Sequence, residues 1–379
     1  INFKCMKRAI ISCFIICFAV DMHGQDAKEF ISKDPRAVYI PVQNTYSAES
    51  IARHINSAFE SEKEKLLAIY TWVTTNIRYD TDSMYTINSE RDPEARVTAA
   101  LRRRKGVCEN YAALFTDIAK KCGISCYIVS GYTKQAGAID RSGHSWCAVS
   151  LDNEWYFCDP TWDEGNIMNA RWYLIPPGRF IETHMPFDPL WQLLEYRITH
   201  KEFVSGRTYA QKQKDLINYN SEVNAYLLLT RLQQLESAIS RIRESGTENE
   251  LVKNRLKFLQ MQAGIIYEER DMNLYNTAVS DFNKANEILN EFIQYRNNRF
   301  LPVKEETFFS EMLKKSTTYI LSANNKLSIL SRSETNDQYD PSILLNRLST
   351  LSSKLAEQQL FLGRYFSANI PEREKLFYK

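Results

Sequence analysis

The chain has almost no net charge to spend on a polyanion: 48 Lys and Arg stand against 46 Asp and Glu, a formal charge of +2. A nucleic-acid binder usually announces itself with a clustered basic surface, and none is announced here. No apolar run approaches the ~20 residues of a bilayer-spanning helix, which excludes a multi-span membrane protein. Glycine and proline are scarce, 12 and 11 residues, too few for a collagen-like or low-complexity chain. The eight cysteines contain no Cys-x-x-Cys pair, and their spacing suits no zinc site. Internal repetition is missing too: "AVSDFNKA" (Ala278, Phe282, Ala285) resembles one helix of a tetratricopeptide repeat but occurs once. What remains is a globular composition, 44% apolar and 25% charged over 379 residues. At ~150 residues per domain that length predicts two or three domains.

The first 25 residues have the pattern of a secretory signal. With Met6 as the start, Lys7-Arg8 is a positive n-region and Ala9 to Val20 an apolar h-region. Cleavage near Gly24 would leave Gln25 or Asp26 first, and predicts an exported protein, periplasmic, envelope-associated or secreted. Cys5, Cys13 and Cys17 would leave with the signal. The five that stay, Cys108, Cys122, Cys126, Cys147 and Cys158, are an odd number. An odd cysteine in an exported protein points to a free, reactive thiol.

Composition divides the rest. Residues 26–203 hold eight of the prolines and every mature cysteine, whereas four glycines and three prolines occur from Gly206 onward. The predicted organisation is a signal peptide at 1–25, a first domain at 26–205 and a helical bundle at 206–379. Helices are expected at about 208–245, 248–268, 273–298, 303–333 and 341–368. Ala225, Leu228, Leu232, Leu235 and Ile239 step by three and four, as packed helices require. In the first domain, residues 49–78, 94–104 and 107–121 read as helices. Three stretches rich in β-branched and aromatic residues follow, "SCYIVSGY", "HSWCAVSL" and "EWYFCDPTW". Helices followed by a short antiparallel sheet make an α+β domain.

The chemistry gathers on three residues. Cys108 opens the helix of "KGVCENYAALFTDIAKKCGI", where unpaired N–H groups and the positive helix end favour thiolate over thiol. The N–H of Cys108 itself could receive an oxyanion. Asp152-Asn153 suits a two-residue turn, so paired positions on the hairpin sum to 305. His144 then lies opposite Thr161, with Asp159 as diagonal neighbour on the same face. Trp146 and Phe157 share that face, while Cys147 meets Cys158 on the other. A one-residue slip would separate His144 from Asp159. A base oriented by a third group beside a thiol is the logic of nucleophilic catalysis.

"GVCENYAALFTDIAKKCGISCYIVSGY" and "GHSWCAVSLDNEWYFCDPTWDEG", preceded by "IYTWVTTNIRYD", resemble the core of the transglutaminase-like superfamily, in the branch with kyphoscoliosis-peptidase-like domains. The resemblance covers about residues 60–165. It implies a papain-like triad with Cys108 as nucleophile, His144 as general base and acid, and Asp159 as orienter. It also implies a helix-borne cysteine packed on an antiparallel sheet, with no metal or organic cofactor. Two positions depart from the family's habit: Cys147 stands where Asn often follows His-x-Trp, and Glu109-Asn110 where Gln-Gly is common.

The resulting expectation is a transglutaminase-like α+β core followed by an all-α domain. Its function would be amide hydrolysis or acyl transfer through a thioester, on a peptide, protein or cell-wall substrate. The alternative is a silent scaffold whose helical half recruits a protein partner. Trp146 and Trp162 are candidates to line the substrate cleft, with burial in the core as the competing role. Tyr79 is an oxyanion-donor candidate by position only, with packing favoured. Cys147 and Cys158 could be a disulfide or two reduced thiols. Cys122 and Cys126 are expected in the core. His54, His184 and His200 show no partner in the sequence and are expected to be solvated or packed. "RRRK" (Arg102 to Lys105) reads as a solvated turn rather than a steering patch.

Overall fold

The computed structural model describes residues 39–83, 92–165, 170–208, 216–331 and 340–378. The proposed signal at 1–25 lies outside them. The described residues form two compact units, one ending at Leu259 and the other beginning at Gln260.

The first unit opens with α1 (Ala48–Ala58) and α2 (Glu62–Asn76), where one helix over 49–78 was expected. Ser61 makes the break. Its hydroxyl accepts from the Glu64 N–H, and the Glu64 carboxylate accepts from the Ser61 N–H at 3.3 Å, a capping box that starts a new helix. α2 is buried nearly all round, with Leu66, Ile69, Trp72 and Val73 among its core residues. β1 (Arg78–Tyr79) follows, then α3 (Pro93–Arg103), β2 (Lys105–Gly106) and α4 (Cys108–Lys121). β1 and β2 pair in parallel, which sets Tyr79 beside Gly106 at the mouth of α4.

The basic run before α4 is structural. Arg103 and Lys105 both bind the buried carboxylate of Asp80. Arg104 takes a left-handed backbone at the end of α3, donates to Thr45 and lies over the Trp72 ring. The solvated turn expected at Arg102 to Lys105 is therefore mostly a clamp joining α3 to β1.

β3 (Ser125–Gln135), β4 (Ala138–Leu151), β5 (Glu154–Cys158) and β6 (His184–Pro186) form one antiparallel sheet in the order β5-β4-β3-β6. The hairpin register is the one the turn predicted: Leu151 faces Glu154 and Cys147 faces Cys158. Asp152 and Asn153 both have positive φ, 51° and 65°, as a twisted two-residue turn needs. One face of the sheet packs Cys126, Cys147, Val149 and Cys158 against α1, α2 and α4. The other packs Val129, Trp146, Ala148 and Phe157 against Phe180, Leu190, Trp191 and Val223. This is an α+β core with the cysteine-bearing helix on an antiparallel sheet. Cys108, Cys122, Cys126, Cys147 and Cys158 are all free thiols.

After α5 (Pro177–Phe180) and α6 (His200–Val204), α7 (Tyr219–Leu227) and α8 (Arg231–Ser245) replace the single helix expected over 208–245. A second capping box, Thr230 with Gln233, separates them. Leu228 ends α7 and is 88% exposed, so it drops out of the expected apolar stripe. Arg241 of α8 grips Asp188 through two 2.7 Å bonds. Such contacts explain why the compact first unit runs on to Leu259, beyond the composition change at 205/206.

α9 (Glu250–Asn297) is one helix where two were expected, and it begins in the first unit and ends in the second. No glycine or proline interrupts residues 265–275, so nothing there stops a helix. In the second unit, α10 (Glu306–Leu330) and α11 (Ser342–Ser367) bury residues spaced by three and four. Leu313, Ile320 and Leu327 of α10 and Leu348, Leu355 and Leu362 of α11 share one core with Ala285, Leu289 and Phe292. A short α12 (Ile370–Lys375) follows α11. No described helix is long and apolar enough to cross a membrane.

Candidate active site

Cys108 is the first residue of α4, and the residue before it, Val107, has no side chain that can cap the helix. The other half of a capping box is present: Asn110 Oδ1 accepts from the Val107 N–H at 3.1 Å. Its amide donates to the Arg96 carbonyl, tying the helix mouth to α3. Gly106 permits this closure, since a Cβ there would lie 2.5 Å from Asn110 Cβ. The first turn of α4 is thus fixed in place with no serine or aspartate covering its N–H groups.

His144 lies on β4 opposite Gly131 of β3. Its Nε2 donates to Asp159 Oδ2 at 2.7 Å, and the ring shares its cleft with Cys108, whose thiol acts on its charge. Asp159 follows the last residue of β5, and its N–H donates to the Trp172 carbonyl at 2.9 Å. Its second oxygen, Oδ1, accepts from the Thr161 N–H at 2.9 Å. The turn beyond is held by Tyr70, whose hydroxyl donates to Asp163 Oδ2 at 2.6 Å, and by the Trp172 N–H on the same oxygen. The structure brings Cys108, His144 and Asp159 together.

Electrostatics follow from this arrangement. Burial alone would lower the His144 pKa, but the Asp159 charge and hydrogen bond, with the Cys108 thiol, carry it up to about 10. Burial would raise Asp159, yet His144 and then His184 hold it below the usual carboxylate range. Each partner thus favours the charged form of the other, imidazolium beside carboxylate.

The sheet face carrying Cys147, not the His144 face, packs on the body of α4: the Cys147 thiol donates to the Ala112 carbonyl at 3.6 Å. Only the first turn of α4 reaches His144. β5 ends at Cys158, so no His144–Thr161 rung forms, and β4 is left uncovered at His144. Thr161 and Trp162 turn past it instead and line the cleft.

The two tryptophans separate. Trp162 lines the cleft of about 780 Å³ that holds Cys108 and His144, with its ring centroid 5.9 Å from that of His144. Trp146 does not line it. It shares the His144 face, its ring centroid 6.0 Å from that of His144, but is fully buried against Phe180, so its expected place in the cleft gives way to packing. Tyr79 reaches the cleft wall, as do Glu109, Arg141, Glu164 and Arg255. A larger cavity of about 960 Å³ elsewhere in this unit is lined by residues such as Asp117, Trp191 and Arg231 and contains no thiol or imidazole. The chemistry belongs to the smaller cleft.

His184 and His200 are not solvated. His200 is buried with Nδ1 3.1 Å from the Tyr132 hydroxyl. His184 is the residue the sequence concealed: its Nε2 lies 3.2 Å from Asp159 Oδ2, so both imidazoles share one carboxylate oxygen. It arrives on β6, a strand of three residues ending in proline, too short to show an alternating pattern. His144, Asp159 and His184 offer donor atoms within 4.8 Å of one another. Ligands of a tetrahedral ion stand about 3.3 Å apart, given bonds near 2.0–2.1 Å. The 2.7 Å contact is shorter than that, and the group fits a hydrogen-bonded chain better than a metal shell.

Residues 49–160 match the family described as the transglutaminase-like superfamily. They form a transglutaminase-like core. It contains Cys108, His144 and Asp159, whereas His184 lies beyond it. Kyphoscoliosis peptidase of Mus musculus is 34% identical over 152 residues, 36% of this chain and 22% of that protein. Hillarin of Drosophila melanogaster is 24% identical over 205 residues, 47% of this chain and 24% of that protein. Lim and transglutaminase domain protein ltd-1 of Caenorhabditis elegans is 24% identical over 200 residues, 46% of this chain and 27% of that protein. The chain thus spans about a quarter of the length of these relatives.

Proposed function

We propose that the protein is a cysteine-dependent enzyme that hydrolyses or transfers amide bonds of peptides or proteins. The observation that carries this is that Cys108 and His144 line one cleft while the His144 ring is hydrogen-bonded to Asp159. Cys108 Sγ attacks the amide carbonyl and a C–S bond forms. The Cys108 N–H, at the uncapped mouth of α4, receives the developing oxyanion. His144, carrying the proton the thiol gave up, delivers it to the leaving amine as the C–N bond breaks. Water or a second amine then attacks the thioester, His144 takes its proton, and Cys108 is regenerated. Asp159 keeps the ring oriented and stabilises its charged form throughout. Export by residues 1–25 belongs to the same proposal, and an exported form beginning at Gln25 or Asp26 is its check.

The test is intact-mass analysis after incubation with unfolded casein and an acid quench. The expected product is an acyl adduct on Cys108, released by hydroxylamine and missing in Cys108→Ala. Adding a primary amine then separates transfer from hydrolysis by the product formed. No adduct under any of these conditions would contradict the enzyme reading and favour a silent scaffold.

A further inference from the structure

We propose that His184 is a positioning residue for this reaction, holding Asp159 against the His144 ring from behind, so that the working chain is Cys108–His144–Asp159–His184. This rests on the catalytic reading above.

The hydrogen bonds assign the proton. His184 Nε2 is 3.2 Å from Asp159 Oδ2 and Nδ1 is 2.8 Å from Thr183 Oγ1. Asp159 is charged and only accepts, so Nε2 must carry the hydrogen. The opposite tautomer would set a ring lone pair against a carboxylate lone pair. Nδ1 then accepts from the Thr183 hydroxyl, whose other acceptor, the Phe180 carbonyl, is farther away at 3.4 Å. Two imidazoles therefore donate to Oδ2, while the Thr161 and Trp162 N–H groups donate to Oδ1. Asp159 has little freedom to turn.

The surroundings keep His184 uncharged. It is fully buried, stacked on Phe180 at 3.9 Å, with Trp162 at 4.3 Å and Trp172 at 5.0 Å. Burial is the main reason its pKa falls to about 4, against the pull of Asp159. The other titratable groups acting on it are His144, which lowers it, and Asp140, which raises it. Behind Asp159 stands Asp163, hydrogen-bonded to Tyr70. Had His184 been the charged ring, it would compete with His144 for the same oxygen. A neutral donor fixes Asp159 and leaves the charge to His144.

The test uses the full chain and the rate of Cys108 alkylation by iodoacetamide between pH 5 and 9. His184→Phe keeps a ring for the aromatic stack and removes only the hydrogen bonds. His184→Gln keeps an N–H donor at the place of Nε2. His184→Phe should lower the rate at pH 6 about tenfold, the equivalent of a one-unit displacement of the acid limb, and leave pH 9 unchanged. His184→Gln should stay within about threefold of wild type. An unchanged profile in His184→Phe, or equal losses in both variants, would overturn the role. His144→Ala is the control: if it too leaves the profile unchanged, the catalytic reading fails and takes this proposal with it. Should His184→Phe not fold, long-range ¹⁵N–¹H spectra of the wild type decide. A neutral His184 with hydrogen on Nε2 from pH 5 to 9 supports the role, and hydrogen on Nδ1 overturns it.

Discussion

Two carboxylates four residues apart on one turn are both buried, yet their environments push them in opposite directions. Asp163 is raised, mainly by burial, while Asp159 is lowered because two imidazoles outweigh its burial. The histidines carry a pH signature with a definite sign. His184 and His200 stay neutral down to about 4, whereas an unfolded imidazole takes up its proton near 6.5. Between those values the unfolded chain binds more protons, so stability falls as pH drops from about 6.5 to about 4. His144 acts the other way. Raised to about 10, it favours the fold below about 6.5 and loses that contribution as pH climbs toward 10. Thermal midpoints measured from pH 4 to 10 should peak near 6.5, and His200→Phe should flatten only the acid side. A flat wild-type acid side would contradict the burial of these rings as neutral groups. Turn chemistry put His144 and Asp159 on one face, because a two-residue turn is a local signal, and the family resemblance joined Cys108 to them. His184 was not legible, since its partner is reached only through a sheet edge 25 residues further on.

At the scale of elements, β6 is the part that carries His184 to the site, and it depends on a missing side chain. Gly131 pairs with Pro186, and a Cβ there would lie 2.1 Å from the Met185 carbonyl and 2.4 Å from the Trp146 ring. Gly131→Ala should therefore displace β6 and cost about 1–3 kcal/mol, seen as a lower urea midpoint. An unchanged midpoint would contradict this packing. The capping boxes make a second check: Ser61→Ala should destabilise by about 0.5–2 kcal/mol. Ser61-x-x-Glu64 and Thr230-x-x-Gln233 were readable in the sequence, but helical periodicity running across both hid the breaks. The hairpin was legible from its turn to Cys147–Cys158, because Asp152-Asn153 sets the register, but not beyond, where β5 stops short of the expected His144–Thr161 rung.

For the molecule as a whole, the change in composition near Gly206 and the division into compact units at Leu259 record different things. Composition marks where glycine and proline thin out. Compactness follows contacts, and those made by α7 and α8 keep them with the first unit, as the Arg241–Asp188 pair and Val223 in the sheet-side core illustrate. The second unit rests on its own apolar seam. Leu348 is fully buried there, and Leu348→Ala should cost about 2–5 kcal/mol, read from the unfolding transition of the full chain. A loss under about 1 kcal/mol would contradict a packed core around α10 and α11.

The first unit's function turns on whether sulfur and imidazole work as one charged pair, and a single comparison tests it: the rate of Cys108 alkylation at pH 6 in wild type and in His144→Ala. A thiol without a partner, with a pKa near ~8.5, is almost wholly protonated at that pH. The paired thiol should react at least about tenfold faster than the unpaired one, with the gap closing above pH 9. Equal rates at pH 6 would mean that the ring does nothing for the sulfur, and that the cleft has no nucleophile.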